Sequence, residues 1–371
     1  MSVTAYPLPR HQTRPIHVGG LTIGGGAPIS VQSMTKTPTA DVEATVAQIH
    51  QLEEAGCDII RVAVPDTKAA LALGEIKRQI HIPLVADIHF NHRLALIAIE
   101  QGVDKLRLNP GNLRRPEHVR EVVQAAKERQ IPIRIGVNNG SIDPDLRATF
   151  PFTHEGNARA LVESALGHIR LLEELAFTDI AVSLKASDVI TTVLAYRMMA
   201  QERDYPLHIG VTEAGVPPEG LIKSSIGMGQ MLGEGLGDTI RVSLTANPVE
   251  EVEAAWHLLR TLELRKGGIT LTSCPTCGRC DVDFTPIITA VKARLIPLDR
   301  ALRAEGRSLH VAVMGCEVNG PGEARDADVG IASGRGYGIL FEGGQVLGKI
   351  PENAIVDTLL QHVEHLAGIV R

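Results

Sequence analysis

The chain has 371 residues, of which 44% are hydrophobic, 22% charged and only 3% aromatic, with a formal net charge of −6. That length suits two domains with cores of Ala, Val, Ile and Leu, and the charge excludes a general basic field for nucleic acid. No apolar run reaches the about 18 residues of a membrane span, and the start, MSVTAYPLPRHQTRP, lacks an apolar signal segment, so a cytoplasmic protein is expected.

The Gly-rich stretch VGGLTIGGG (18–26) reads as a small hairpin before the first strand, with the floor of a barrel as one place it can sit. Eight short apolar runs come next: ISVQSM (29–34), IIRVAV (59–64), PLVADI (83–88), KLRLNP (105–110), IPIRIGV (131–137), DIAVSL (179–184), PLHIGVT (206–212) and TIRVSLT (239–245). Helical stretches separate them. In DVEATVAQIHQLEEAG (41–56), Val42, Val46, Ile49 and Leu52 share one helical face, Asp41 can cap the start and Gly56 can end it. Eight strands alternating with helices predict an α/β fold, a (β/α)8 TIM-like barrel over residues 1–265, with a doubly wound open sheet as the alternative. The echo AGCDIIRV, QGVDKLRL and LGDTIRV supports repeated β/α units.

The arginines in these strands are unexpected. Barrel strands normally read as apolar runs, yet Arg61, Arg107, Arg134 and Arg241 each stand between apolar residues, and Lys185 follows strand six. Each Arg, taken singly, can face the helix layer and pair with a carboxylate there. Several cations in one barrel mouth instead imply a bound polyanion, because an unpaired buried charge costs several kcal/mol. The planar guanidinium grips two phosphate oxygens at once. A diphosphate-sized anion is therefore expected at the C-terminal face. Asp87, His89, Asn109, Asn138, Ser183, Glu213 and Ser243 fall at the same face. Any one of them can simply cap the next helix, but Glu213 at a strand end is placed for proton transfer.

Composition changes at LRKGGIT (264–270), where Gly267 and Gly268 read as a linker into a smaller α+β domain, 266–371. This domain opens on TSCPTCGRC (272–280), with Cys274, Cys277 and Cys280 in C-x-x-C-x-x-C spacing. Cys316 follows a predicted strand, SLHVAVM, within the Gly-rich GCEVNGPGE. In a reducing compartment such cysteines point to metal or redox chemistry rather than disulfides. A zinc ribbon would repeat the C-x-x-C pair, and the second pair is missing. Three or four thiolates suit an iron–sulfur cluster, [4Fe–4S] above all, with zinc or redox-active thiols as alternatives. Cys57, alone at a helix-to-strand junction, reads as a small buried hydrophobe. Later runs, VGIAS, YGILFEGG and QVLGKI, read as strands, with a tight turn at Gly343–Gly344 and a closing helix, NAIVDTLLQHVEHL.

SCPTCGR and MGCEVNGPGEA, with VQSMTKT, RVAVPD, LVADIHF, LRLNPGN, RIGVNNGS, SLKASD and GVTEAG, resemble the bacterial 4-hydroxy-3-methylbut-2-enyl diphosphate synthase family nearly end to end. That family works in the methylerythritol phosphate route to isoprenoids. The resemblance implies an oxidoreductase that opens the ring of 2-C-methyl-D-erythritol 2,4-cyclodiphosphate with two electrons and loses water. It implies a [4Fe–4S] cluster on Cys274, Cys277, Cys316 and Glu323. It also implies diphosphate binding by Arg61, Arg107, Arg134 and Lys185, helped by Asn109, Asn138, Arg241 and Ser243, with Glu213 as the essential acid. A homodimer is implied, in which one subunit's cluster domain closes over the other's barrel, and flavodoxin or ferredoxin supplies electrons. Cys280 departs from the family's motif; it is either a competitor of Glu323 or a spectator thiol. The rival expectations are a barrel hydrolase or aldolase-type enzyme with a zinc-stapled accessory domain, and a binding or electron-transfer module without a substrate of its own.

Overall fold

The computed structural model describes residues 6–89, 91–108, 115–277, 279–280, 282–316, 320–323 and 326–368. The chain divides into two compact units, Met1–Arg265 and Lys266–Arg371.

The first unit opens with an antiparallel hairpin, β1 (Ile16–Val18) and β2 (Leu21–Ile23). Eight parallel strands come after it: β3 (Ser30–Met34), β4 (Ile59–Ala63), β5 (Leu84–Ile88), β6 (Lys105–Leu108), β7 (Ile133–Asn138), β8 (Ile180–Lys185), β9 (His208–Ile209) and β10 (Thr239–Ile240). Each of β3 to β7 pairs with the next, β10 joins β9 to β3, and a parallel bridge between Val182 and Leu207 links β8 to the β9 segment. The ring is therefore a barrel and not an open sheet. Around it run α1 (Val42–Glu54), α2 (Thr67–Gln79), α3 (His92–Glu100), α4 (Pro116–Glu128), α5 (Pro144–Ala148), α6 (His154–Glu174), α7 (Val189–Glu202), α8 (Glu219–Gly233) and α9 (Pro248–Thr261). Asp41 caps α1 as expected, accepting from the Ala44 N–H at 3.1 Å.

Successive strand residues point to opposite faces, and this alternation sorts the barrel. Ile60, Val62, Ala86 and Leu106 pack outward among the helices. Ile59, Val85 and Ala181 point inward, where Ile16, Val18 and Ile23 of the hairpin meet them. The hairpin thus plugs the barrel floor. Two residues further along the same inward faces come Arg61, Asp87 and Ser183. The lumen runs from apolar at the floor to charged at the mouth.

Two expected strands are shorter than their apolar runs. PLHIGVT and TIRVSLT keep only two residues each in β9 and β10. Beyond them the backbone leaves the regular ladder, and Glu213 and Gly215 take φ values of +51° and +107°.

The second unit holds β11 (Gly268–Ser273), α10 (Phe284–Glu305), β12 (Ser308–Met314), α11 (Gly320–Glu323), β13 (Val329–Gly334), β14 (Tyr337–Glu342), β15 (Gln345–Pro351) and α12 (Ile355–Ala367). Its sheet runs β11 to β15 in order, parallel from β11 to β13 and antiparallel after that. Helices α10 and α12 cover one face through Val291, Leu295, Leu302, Leu359 and Val363. The other face carries Ala312, Met314, Ala332 and Phe341, with Cys274 packed against them. Gly268 corrects the linker expectation. It begins β11, donating its N–H to the Arg307 carbonyl at 2.8 Å. Two glycines mask a strand whose other residues, ITLTS, pair with β12 throughout. Gly343 and Gly344 form the expected turn, both with positive φ, +54° and +78°.

Removing part of the plug exposes the floor of the lumen. Ile23→Ala should cost about 2–5 kcal/mol, read as a lower urea midpoint for the barrel unit. Thr22→Ala, at an exposed position of the same hairpin, should stay within about 0.5 kcal/mol of the parent.

Candidate functional site

At the C-terminal ends of the strands, Arg61, Arg107, Arg134, Asn138, Lys185, Arg241 and Ser243 line one cavity of about 110 Å³ with Asp87, His89, Ser183 and Thr212. The four arginines therefore face the lumen, not the helix layer. Asn109 lies outside the described residues. Glu213 sits at the same end of the barrel, exposed on the loop after β9, and is not among the residues lining the cavity.

Asp87 organises the cations. Its Oδ1 accepts from Arg107 Nη1 at 2.9 Å, and Arg61 Nε stands 3.6 Å from its Oδ2. Arg107 also reaches His89 Nε2 at 2.8 Å and donates to the Gly136 carbonyl at 3.2 Å. Arg61 leans on the Met34 sulfur, with Nη2 at 2.9 Å. Arg241 lies 3.7 Å from Glu251 on α9, whose Oε1 accepts from the Leu244 N–H at 2.9 Å. Lys36 approaches the same carboxylate at 3.8 Å. Arg134 is only 1% exposed, and its Nε and Nη1 have no hydrogen-bond partner among the described residues. Lys105, one inward position below Arg107, is fully buried with its ammonium equally unpartnered among them.

Five cations thus share the cavity with one carboxylate and the nearby Glu251. Burial would raise the Asp87 carboxyl, but Arg61, His89 and Arg107 outweigh it and hold it well below the usual range. Burial raises Glu251, a shift that Arg241 opposes. Burial, reinforced by Arg134 and Arg61, pushes Lys105 down to about 7. Burial and then Arg134, Arg241, Arg61 and Arg107 drive Lys185 well below its ordinary value. A guanidinium holds its proton more firmly than an ammonium does, so the crowding weighs most on the two lysines.

Glycines make the packing possible. A Cβ on Gly136 would fall 2.6 Å from Arg107 Nε, and one on Gly210 would fall 2.7 Å from Lys185 Nζ. Glycine inside a strand marks a close approach, so IRIGVN and LHIGVT carry a signal for this crowding. Lys105, Glu251 and Lys36 are additions from the structure. Lys105 shares its strand with Arg107, but Glu251 lies in NPVEEVE, which reads as a helix start, and only the fold brings it under Arg241.

In the second unit, Cys274, Cys277 and Cys316 line a cavity of about 310 Å³ with Arg279, Met314, Gly315 and Gly320. Cys274 Sγ accepts from the Thr276 N–H at 3.3 Å. The N–H groups of Arg279 lower the Cys277 thiol. A Cβ on Gly315 would fall 3.2 Å from the Cys274 sulfur and 2.8 Å from that of Cys280. Cys280 does not line the cavity; it is half-buried beside the α10 core and donates to the Val282 carbonyl at 3.5 Å. Glu323 ends α11, and its side chain lies outside the described part of the structure. Cys57 is buried in the barrel core, where burial pushes its thiol up to about 12.

Residues 13–256 match the family described as the GcpE TIM-barrel domain, and residues 270–365 match the GcpE protein C-terminal domain. The chain belongs to the GcpE family. A relative from Thermodesulfovibrio yellowstonii, named 4-hydroxy-3-methylbut-2-en-1-yl diphosphate synthase (flavodoxin), is 56% identical over 357 residues, covering 96% of this chain and 99% of that protein. One of the same name from Geobacter sulfurreducens is 54% identical, covering 96% and 98%. Among solved structures, the dihydropteroate synthase of Stenotrophomonas maltophilia superposes with a TM-score of 0.51 at 13% identity, over 68% of this chain and 97% of that one. That likeness is one of fold alone, and it covers a length that the barrel of this GcpE chain accounts for. No described helix of the GcpE chain is long and apolar enough to cross a membrane.

The depressed lysines make anion binding pH-dependent. Inorganic pyrophosphate held among these cations should raise the pKa of Lys185, so that binding takes up protons. Affinity should be full below about pH 7 and fall as pH rises through the alkaline range. Calorimetry in two buffers of different ionisation enthalpy should show net proton uptake at pH 8, and Lys185→Met should reduce it.

Proposed function

We propose that this chain is a flavodoxin-dependent 4-hydroxy-3-methylbut-2-en-1-yl diphosphate synthase. Its substrate is 2-C-methyl-D-erythritol 2,4-cyclodiphosphate. Two electrons and two protons enter, the ring C–O bond to phosphate breaks and one water leaves, giving (E)-4-hydroxy-3-methylbut-2-enyl diphosphate for isoprenoid synthesis. The single observation that carries this reading is the pocket of five cations around Asp87 in a chain more than half identical to proteins of that name.

The cation set suits a diphosphate. Arg61, Arg107, Arg134, Lys185 and Arg241 surround a space of small volume, and an anion there relieves their mutual repulsion. Asn109, Asn138 and Ser243 are assigned to hold the remaining oxygens. The cyclic diphosphate is thereby fixed by its charged end, with its carbon ring toward the open mouth. Glu213, in a left-handed backbone conformation that costs about 1–3 kcal/mol for a residue other than glycine, is held at that mouth as the proton donor.

The second unit suits a [4Fe–4S] cluster. Three thiols face one cavity, and Gly315 leaves the space where any larger residue would press on sulfur. Cys274, Cys277 and Cys316 would hold the cluster with Glu323 as the fourth ligand. Such a group supplies single electrons and Lewis acidity at an iron that a carboxylate holds less firmly than a thiolate does. The donor set of three clustered thiols with a single C-x-x-C pair does not favour the zinc-stapled hydrolase or aldolase. A homodimer, reduction by flavodoxin with ferredoxin as the other candidate, and a cytoplasmic location complete the proposal.

Anaerobic purification tests it directly. The protein should be brown, carry iron and acid-labile sulfide in equal amounts, and convert the cyclic diphosphate when given a strong reductant. A colourless zinc protein would overturn the reading. Cys316→Ser should lose the visible absorbance, whereas Cys280→Ser should keep it. Glu213→Gln should lower kcat by about 10²–10⁴-fold with its iron content unchanged.

A further inference from the structure

The floor end of the barrel carries a side-chain cluster separate from both the cation pocket and the cysteine cavity. His50 and Glu53 lie three residues apart on the last turns of α1 and so share a face. His81 opens the loop between α2 and β5. The ligating atoms of the three residues lie within 4.8 Å of one another.

Glu53 is fixed in place. Its Oε1 accepts from the backbone N–H of His81 at 2.6 Å and of Ile82 at 3.2 Å, and its Oε2 stands 3.1 Å from His81 Nδ1. His50 Nε2 lies 2.8 Å from the Gln79 carbonyl oxygen. A carbonyl only accepts, so the proton sits on Nε2 and Nδ1 keeps its lone pair. A backbone carbonyl on the second nitrogen is the usual device that orients a metal-binding histidine. The His50 and His81 rings are 6.0 Å apart and tilted by 33°.

Tetrahedral zinc, with bonds of about 2.0–2.1 Å, sets its ligand atoms about 3.3 Å apart. The Glu53–His81 contact, at 3.1 Å, has that length as a hydrogen bond in which His81 Nδ1 donates to the carboxylate, so zinc would take the place of that proton. His81 is 84% exposed along its side chain, so it can swing to close the rest without disturbing the core. Two imidazoles and one carboxylate suit zinc and exclude a preference for calcium or magnesium, which take oxygen ligands.

We propose that His50, Glu53 and His81 form a zinc-class metal site, completed by water, that staples the end of α1 to the loop entering β5. Its role is to tie the first two β/α units together at the face where barrel strands begin, the face that governs stability rather than chemistry.

The test uses the full chain, purified anaerobically with its cysteine site loaded, and zinc as the probe. Competition against a chromophoric chelator should find one more zinc per chain in the parent than in His50→Ala/His81→Ala, and His17→Ala should match the parent. Any zinc held by the cysteines is common to all three proteins and cancels. Zinc at a tenfold excess over its dissociation constant should raise the parent's melting midpoint by about 3 °C, and the double variant's midpoint should not respond. Equal zinc uptake by parent and double variant, or uptake without the rise in midpoint, overturns the proposal.

Discussion

Positive charge packed inside a barrel repels itself, and much of the first unit answers that repulsion. Arg61, Arg107, Arg134, Lys185 and Arg241 converge where most barrels carry apolar or mixed residues. Asp87 and Glu251 offset part of the charge. Burial and the neighbouring cations also lower the proton affinity of Lys105 and Lys185. Met34 gives Arg61 a soft, polarisable neighbour in place of water. The residual imbalance would favour an anion in the pocket, since an anion contributes the most stabilisation where cations are least satisfied.

The same alternation that sets the cations inward also builds the support beneath them. Ile59 and Arg61 share a face, as do Val85 and Asp87, so the apolar floor and the charged mouth are two levels of one column. The hairpin has only to cover the lower level. Glycines at 136 and 210 clear the space through which long cationic side chains pass over neighbouring strands. The cysteine cavity uses the same device at Gly315, there to admit sulfur.

Much of the barrel and its pocket is legible in the chain because each signal is local. An arginine between two apolar residues, as in I-R-V or L-R-L, can occur in a barrel strand only if something special receives it. The parallel strands of the barrel show as apolar runs, and the hairpin as glycines around one apolar triplet. The features that sequence hides depend on contacts distant along the chain. Glu251 looks like any first-turn glutamate until α9 is folded beneath Arg241. Lys105 looks like a strand-end lysine until the lumen closes around it. Gly268 looks like part of a linker because its lack of a side chain hides pairing that only β12 supplies. The short ladders of β9 and β10 go with backbone departures at Glu213 and Gly215 that apolar patterning does not encode.

The plugged floor has a consequence for traffic. Ile16, Val18 and Ile23 pack on Ile59, Val85 and Ala181 and cover the lumen from below with apolar side chains. Among the described residues, that leaves the C-terminal ends of the strands as the way into the cation pocket. A ligand of that pocket would leave by the way the next one enters, so departure and arrival would compete for a single opening.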